Sequence, residues 1–267
     1  ISKQNHYLKN NFSNEDKVAK PTYDFLDLNS ERLSGIASFI GLNILLLFFI
    51  ITFNYEQFVE LPKATANQLA EETHERVGAV IGSIVMAIVV IMFYFKGSFN
   101  FDKKAKFLKI LAQIWVFLNA ILVISAMLKN TEYVYYLGLT YKRLGVYAFL
   151  SLAIIGLIFT FIKVSKQKTN AYLFNQMFWY VYGTILVCSF INWGGIITSH
   201  NLKREDFAAN YHFNSVDFND KQLLEYYQKT NNKEMYKILK DKIIARQNES
   251  FLSKVLYDES ISFNESK

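Results

Sequence analysis

The sequence predicts an all-α protein: a polytopic transmembrane helix bundle of about five spans, with a small C-terminal helical segment outside the membrane. Three observations carry that expectation. Long uncharged runs alternate with polar stretches along the 267 residues. A run of roughly 18 or more apolar residues reads as a bilayer span. Lysines flank the runs instead of entering them, which is the usual mark of membrane orientation. Beyond residue 199 the pattern turns polar with a helical period. Mean hydropathy, +0.12, is modest because it averages over this mosaic.

Taken in order, residues 1–34 form a polar leader rich in Asn and Ser, interrupted by Pro21. The leader lacks the basic start and apolar core of a signal peptide, and the first residue is Ile1, so the chain is expected to be the later part of a longer one. The five spans, together residues 35–199, are placed at 35–53, 77–95, 107–128, 144–162 and 177–198. In the first, Asn43 is expected to find a partner on a neighbouring helix, an interaction of roughly 0.6–2 kcal/mol. In the second, Gly78, Gly82, Ser83 and Ala87 are expected to mark a closely packed face. The third carries Gln113, Trp115 and Asn119, and the loop after it is dense in tyrosine, which suits the headgroup level. Asn192-Trp193-Gly194-Gly195 stands near the exit of the fifth, where the glycines permit unwinding or a close neighbour. Residues 200–267 are expected to form a soluble helical tail. Its helices are placed at 220–229 and 232–246, the second N-capped by Asn231 or Asn232 and striped by Met235, Ile238, Leu239 and Ile243. Residues 260–267 are expected to be disordered.

Charge sets the orientation. The leader and the loops 96–106 and 163–176 carry twelve Lys and Arg, against five in 54–76 and 129–143. Short loops decide topology, so the leader is expected in the cytoplasm and the tail in the periplasm of a bacterial inner membrane. With 24 lysines and 5 arginines the net charge of +6 does not form the arginine-rich face of a nucleic-acid binder, and no nucleic-acid partner is expected. A single cysteine, Cys188, cannot form an internal disulfide and reads as a packing residue.

The chain's most concentrated ionisable stretch is Glu71-Glu72-Thr73-His74-Glu75-Arg76, directly before the second span. Several motifs resemble a family of bacterial multi-spanning membrane proteins catalogued only as a domain of unknown function. They are His74-Glu75 before the second span; Gly97, Asn100 and Phe101 after it; Leu139-Thr140-Tyr141-Lys142-Arg143-Leu144-Gly145-Val146; and Asn192, Trp193 and Asn201 at the end of the last span. The resemblance covers about 28–224. It implies topology and no mechanism. Two positions depart from the family pattern: its Asp is Gly194 here and its Tyr is His200.

On the predicted topology, Glu71, His74, Glu75, Arg143, Asn192 and His200 share the outer side, which makes them a candidate shared site or docking surface. His74 and His200 with a carboxylate could ligate a zinc-like ion, although Gly78 stands where a zincin helix has its second histidine. The alternative is that Glu72 pairs with Arg76 and His74 joins an interfacial network. Arg143 could hold a phosphate through its forked donors or anchor the fourth span. No nucleophile–base set, phosphate-cradling loop or cysteine pair is present, and no cofactor is expected. The leading expectation is a non-enzymatic scaffold, sensor or accessory subunit that contacts the lipid bilayer and docks membrane or periplasmic proteins on the periplasmic side. One rival is a transporter or channel component, motivated by the amides in the spans but lacking a mid-span charge. The other is a membrane enzyme built on His74, Glu75, Arg143 and His200.

Overall fold

A computed structural model describes residues 27–58, 66–95, 100, 102–251 and 254–263, the side chains of 57–76 excepted. The described residues are helical with no strand. They divide into two compact units, one of residues up to 136 together with 145–189, the other of 137–144 together with 190–267.

The first unit is the membrane bundle. Its helices are α1 (Leu28–Phe58), α2 (Ala66–Tyr94), α3 (Lys106–Leu137), α4 (Tyr141–Ser165, from residue 145) and α5 (Asn170–Ser189). Four helical segments are long and apolar enough to cross a membrane: 28–56, 77–94, 103–137 and 141–165. Helix α5 passes that test only when taken together with α6 (Trp193–Asn201), which follows it after a break at residues 190–192.

Each helix buries one stripe and leaves the opposite one bare. Helix α1 buries Phe39, Leu46, Ile50 and Phe53; α2 buries Val80, Ile84, Ala87 and Ile91; α3 and α4 add Leu108, Leu122, Leu150 and Leu157 to the same core. The exposed stripes are as apolar as the buried ones, with Leu45, Phe48, Met86, Phe117 and Ile158 all outward. A water-soluble bundle would carry charge there, whereas lipid accepts apolar surface. Asn43 donates to the Leu111 carbonyl of α3 at 3.1 Å as well as to Phe39 in its own helix, which is the neighbouring partner expected of it. Asn119 donates to Trp115 within its helix, and Gln113 to Ser165. Asn43 and Gln113 therefore tie neighbouring helices together, and Asn119 bonds within its own. The expected small-residue face of α2 is corrected: Gly78 and Gly82 open onto empty space, and of that set only Ala87 is buried. The tight approach lies instead at Gly35 of α1, where a Cβ would sit 3.1 Å from the Tyr94 ring of α2 and 3.2 Å from Leu108 of α3.

Short links at one end of this unit are tied by polar groups. Arg32 pairs with Asp102 at 3.3 Å, and Asp102 also accepts from the Lys104 amide, capping the 3-10 turn 103–105. Asn100, buried, donates to the Lys168 carbonyl at 2.6 Å. Lys163 is fully buried, and its ammonium donates to the Phe95 carbonyl at 2.8 Å. Asn170 donates to the Met92 carbonyl at 3.2 Å.

The second unit contains the stretch 137–144, α6, α7 (Ala209–Ser215), α8 (Asp220–Lys229), α9 (Lys233–Gln247) and the single turn α10 (Leu256–Glu259). Helix α9 starts at Asn232, whose side chain accepts from the Met235 amide. Its stripe packs Leu239 and Ile243, both wholly buried, on Leu223, Leu224 and Tyr227 of α8, with Met235 alongside. Ile238, expected in that stripe, faces outward instead, because the contact with α8 is only wide enough for the positions 235, 239 and 243. Of the end expected to be disordered, Ile261 is buried in this core and Phe263 packs against it; residues 264–267 lie outside the description.

Candidate functional site

Of the six residues singled out from sequence, Glu71, His74 and Glu75 stand on the N-terminal turns of α2, which begins well before the apolar run. Their side chains lie outside the described residues. Arg143, Asn192 and His200 all fall in the second unit.

Arg143 closes the end of α3. Its Nη1 donates to the Leu137 carbonyl at 2.8 Å and also to the Gly138 carbonyl. The last carbonyls of a helix have no intrahelical partner and carry partial negative charge, so a guanidinium is favourable there. Gly138 terminates that helix with φ +79, and a Cβ on it would lie 2.8 Å from the Asn201 Oδ1. Conformation and space both call for glycine. Thr140 Oγ1 then receives the Arg143 amide at 3.4 Å and starts α4.

Asn192 is the N-cap of α6. Its Oδ1 accepts from the Gly195 amide at 2.8 Å, and its Nδ2 donates to the Phe218 carbonyl at 2.8 Å. This cap explains why a separate helix starts at Trp193: a capping Asn satisfies free helix-start amides and sets up a new helix. Gly194, where the resembled family has Asp, lies under residue 217. A Cβ there would stand 1.7 Å from the Asp217 carbonyl oxygen. Tyr141 reaches the same carbonyl from the other motif, at 3.4 Å.

The centre of the unit is a buried polar network not foreseen from the sequence. Asn201 pairs its side-chain amide with the backbone of Leu139, receiving the Leu139 N–H at 2.7 Å and donating to its carbonyl at 2.9 Å. The two residues are 62 positions apart. The second amide hydrogen of Asn201 points to His212 Nε2 at 3.2 Å, while His212 Nδ1 meets Thr198 Oγ1 at 2.9 Å. Asn219 donates both to Thr198 Oγ1 and to the His212 carbonyl, each at 2.9 Å. Thr198, His212, Asn219 and Asn201 are all buried. The His212 ring is flanked by Phe207, centroids 4.7 Å apart, and Tyr211.

The network fixes a protonation state. Leu139 presents one donor and one acceptor, so it dictates which end of the Asn201 amide faces which way. The amino group is thereby aimed at Nε2, which must accept. Nδ1 carries the hydrogen, and the imidazole is neutral. Burial pushes the His212 pKa below its ordinary 6.5 in the same direction. Between the folded and unfolded values the unfolded chain binds more protons. The neutral-histidine contribution is therefore complete above pH 6.5 and is lost as pH falls from there towards the lowered folded value. Stability of the second unit should fall over that interval with a slope of up to about 1.4 kcal/mol per pH unit. Urea titration by circular dichroism from about pH 7.5 down to pH 5 would measure it. His212→Gln should be less stable at neutral pH and should lose that slope; an unchanged slope would place the titrating group elsewhere.

His200 is exposed and touches the network only at its edge, through Nδ1 to Asn201 Oδ1 at 3.3 Å. Among the described residues no group of three His, Cys, Asp or Glu side chains converges as a metal site would require. Asn192 at the cap of α6, Ser199 and His200 on it, Lys203 in the turn after it and Gln222 of α8 border an open cleft of about 430 Å³.

The signal for the network was present in the motifs but not in their spacing. Leu139, Tyr141 and Arg143 on one side, Asn192 and Asn201 on the other, are the resemblance motifs, and they are joined through Leu139 and Asn201. His212 belongs to neither motif, and no local pattern marks it.

The family described as Domain of unknown function (DUF4153) matches residues 7–223. No curated protein and no solved structure matches the chain.

Proposed function

We propose that this chain, which belongs to the DUF4153 family, is a scaffold or accessory subunit of a bacterial inner membrane, with its leader in the cytoplasm and its second unit docking a partner protein in the periplasm. The observation that carries this reading is the apolar edge of the second unit. Phe251 and Leu256 are 87% and 90% exposed, and Val255 stands beside them. The turn that carries Val255 and Leu256 is braced. Gln247 Nε2 donates to the Asp258 and Ile261 carbonyls at 2.6 and 3.0 Å, and Arg246 Nη2 lies 2.8 Å from Asp220 and 3.1 Å from Asp258. Tyr257 packs edge-on against Phe218. Burial raises the Asp258 carboxyl above its ordinary range, with Arg246 opposing. Large apolar side chains held outward on a fixed base are what a protein interface uses as anchors, because little side-chain freedom remains to be lost on binding. The twelve-to-five distribution of Lys and Arg supports the orientation.

The test uses the full chain with Cys188→Ser. A cysteine at position 256 should react with an impermeant maleimide once the outer envelope is opened, and one at position 165 should be protected until the inner membrane is breached. A photo-crosslinking residue at 256 should then yield one discrete adduct that Phe251→Ser abolishes without changing expression. Labelling in the reverse order would overturn the orientation, and no discrete adduct would overturn the docking role.

A further inference from the structure

We propose that the cleft on α6 binds the phosphate of an anionic glycerophospholipid headgroup. Four observations within the second unit point there. The cleft volume, about 430 Å³, falls in the range of small-molecule sites. Its two ionisable lining residues are His200, in the last turn of α6, and Lys203, in the turn that follows that helix, and no acidic side chain lines it. Ser199 adds a hydroxyl to the lining. Gln222 Oε1, at the opposite wall, is shielded from solvent and receives no hydrogen bond. A buried acceptor without a donor is uncommon in a folded protein, and once the Gln222 side chain turns into the cleft a ligand hydroxyl supplies the donor.

The ligand that satisfies this lining carries an anion for His200 and Lys203 and a hydroxyl for Gln222. A phosphate ester of glycerol has both. The lining also includes Ile196, an exposed apolar residue, and Phe190 of the same unit is 82% exposed. An apolar rim beside a cationic face suits a molecule with a hydrocarbon end. In sequence, Asn192 follows the apolar helix α5 by three residues, which makes a lipid the first source of phosphate to test. Asn192 itself is already committed on both sides of its amide and acts as wall, not as ligand.

The site is tested on the full chain. In native mass spectrometry from nanodiscs of phosphatidylcholine with phosphatidylglycerol, the wild type should retain one more phosphatidylglycerol than the double variant His200→Gln/Lys203→Gln. Lys229→Gln, an exposed charge loss on α8, should match the wild type. Both altered residues are exposed, and a circular dichroism melt checks that losing the His200 contact to Asn201 leaves the fold intact. Ser199→Phe, which fills the cleft without removing charge, should lose the same lipid. In lipid-free micelles, glycerol phosphate should bind the double variant roughly tenfold or more weakly than wild type, the loss expected for charge-assisted bonds. Glycerol phosphate binding without lipid retention would uphold the anion site and assign it to a soluble phosphate ester. Equal lipid retention and equal glycerol phosphate affinity in wild type and double variant would overturn the proposal.

Discussion

Asn201→Leu should destabilise the second unit by about 3–5 kcal/mol, the largest effect expected from any polar substitution in the chain. Leucine matches asparagine in reach but offers neither donor nor acceptor. The Leu139 N–H, the Leu139 carbonyl and His212 Nε2 would all be left buried without their partner. Each unsatisfied group costs about 1–3 kcal/mol, and the sum is tempered because a water or a small shift recovers part of it. Asn201→Asp separates shape from chemistry. It keeps the acceptor for the Leu139 N–H but faces the Leu139 carbonyl and Nε2 with oxygen. It should be about as damaging as Leu at pH 8 and recover partly in acid, where protonated His212 or the protonated carboxyl supplies the missing hydrogens. The measurement is urea unfolding of the solubilised chain followed at a probe in α8 or α9. Equal stability of Asn201→Leu and wild type would show that the link between 139 and 201 contributes nothing.

Gly194→Ala should be the most damaging single-carbon addition in the protein. Its new Cβ would stand 1.7 Å from the Asp217 carbonyl oxygen, roughly half a van der Waals contact distance. No rotamer can relieve this, because the obstacle is backbone. Either α6 shifts, drawing Asn192 from its cap and Thr198 from His212, or the turn at 217 moves and takes Asn219 with it. A loss of about 3 kcal/mol or more is expected, at the upper end of overpacking effects. The same substitution at Gly183, which has open space around it, should be nearly silent and serves as the control. If the two variants melt alike in differential scanning fluorimetry, the approach of residues 194 and 217 is looser than the structure has it.

The bundle was legible because its evidence is local. Val80, Ile84, Ala87 and Ile91 recur at helical spacing, and the run around them lacks charge, so both the helix and its medium follow from one window. Asn232 and the positions 235, 239 and 243 were readable for the same reason. Helix limits were less so. Helix α3 continues to Leu137 and α2 starts at Ala66, where polar residues extend a helix beyond the apolar run that reveals it. Arg143 was singled out for a possible anion or for anchoring, and its guanidinium lies on two backbone carbonyls. Nothing local distinguishes these uses, since the same donors serve all of them.

By itself, the sequence determined the fold class, the number of apolar runs, the helical tail and the bias of charge between the two sides. Each depends on composition or on a period of three to four residues, because solvent partition and helix formation act over such lengths. Only the tertiary structure decided that Asn201 reads the backbone of Leu139, that His212 is neutral within that network, and that Gly194 passes beneath residue 217. Those pairings join positions up to 62 residues apart, as between Leu139 and Asn201. A hydrogen bond is satisfied by whichever partner the folded chain delivers within about 3 Å, and that delivery leaves no periodic trace in the sequence.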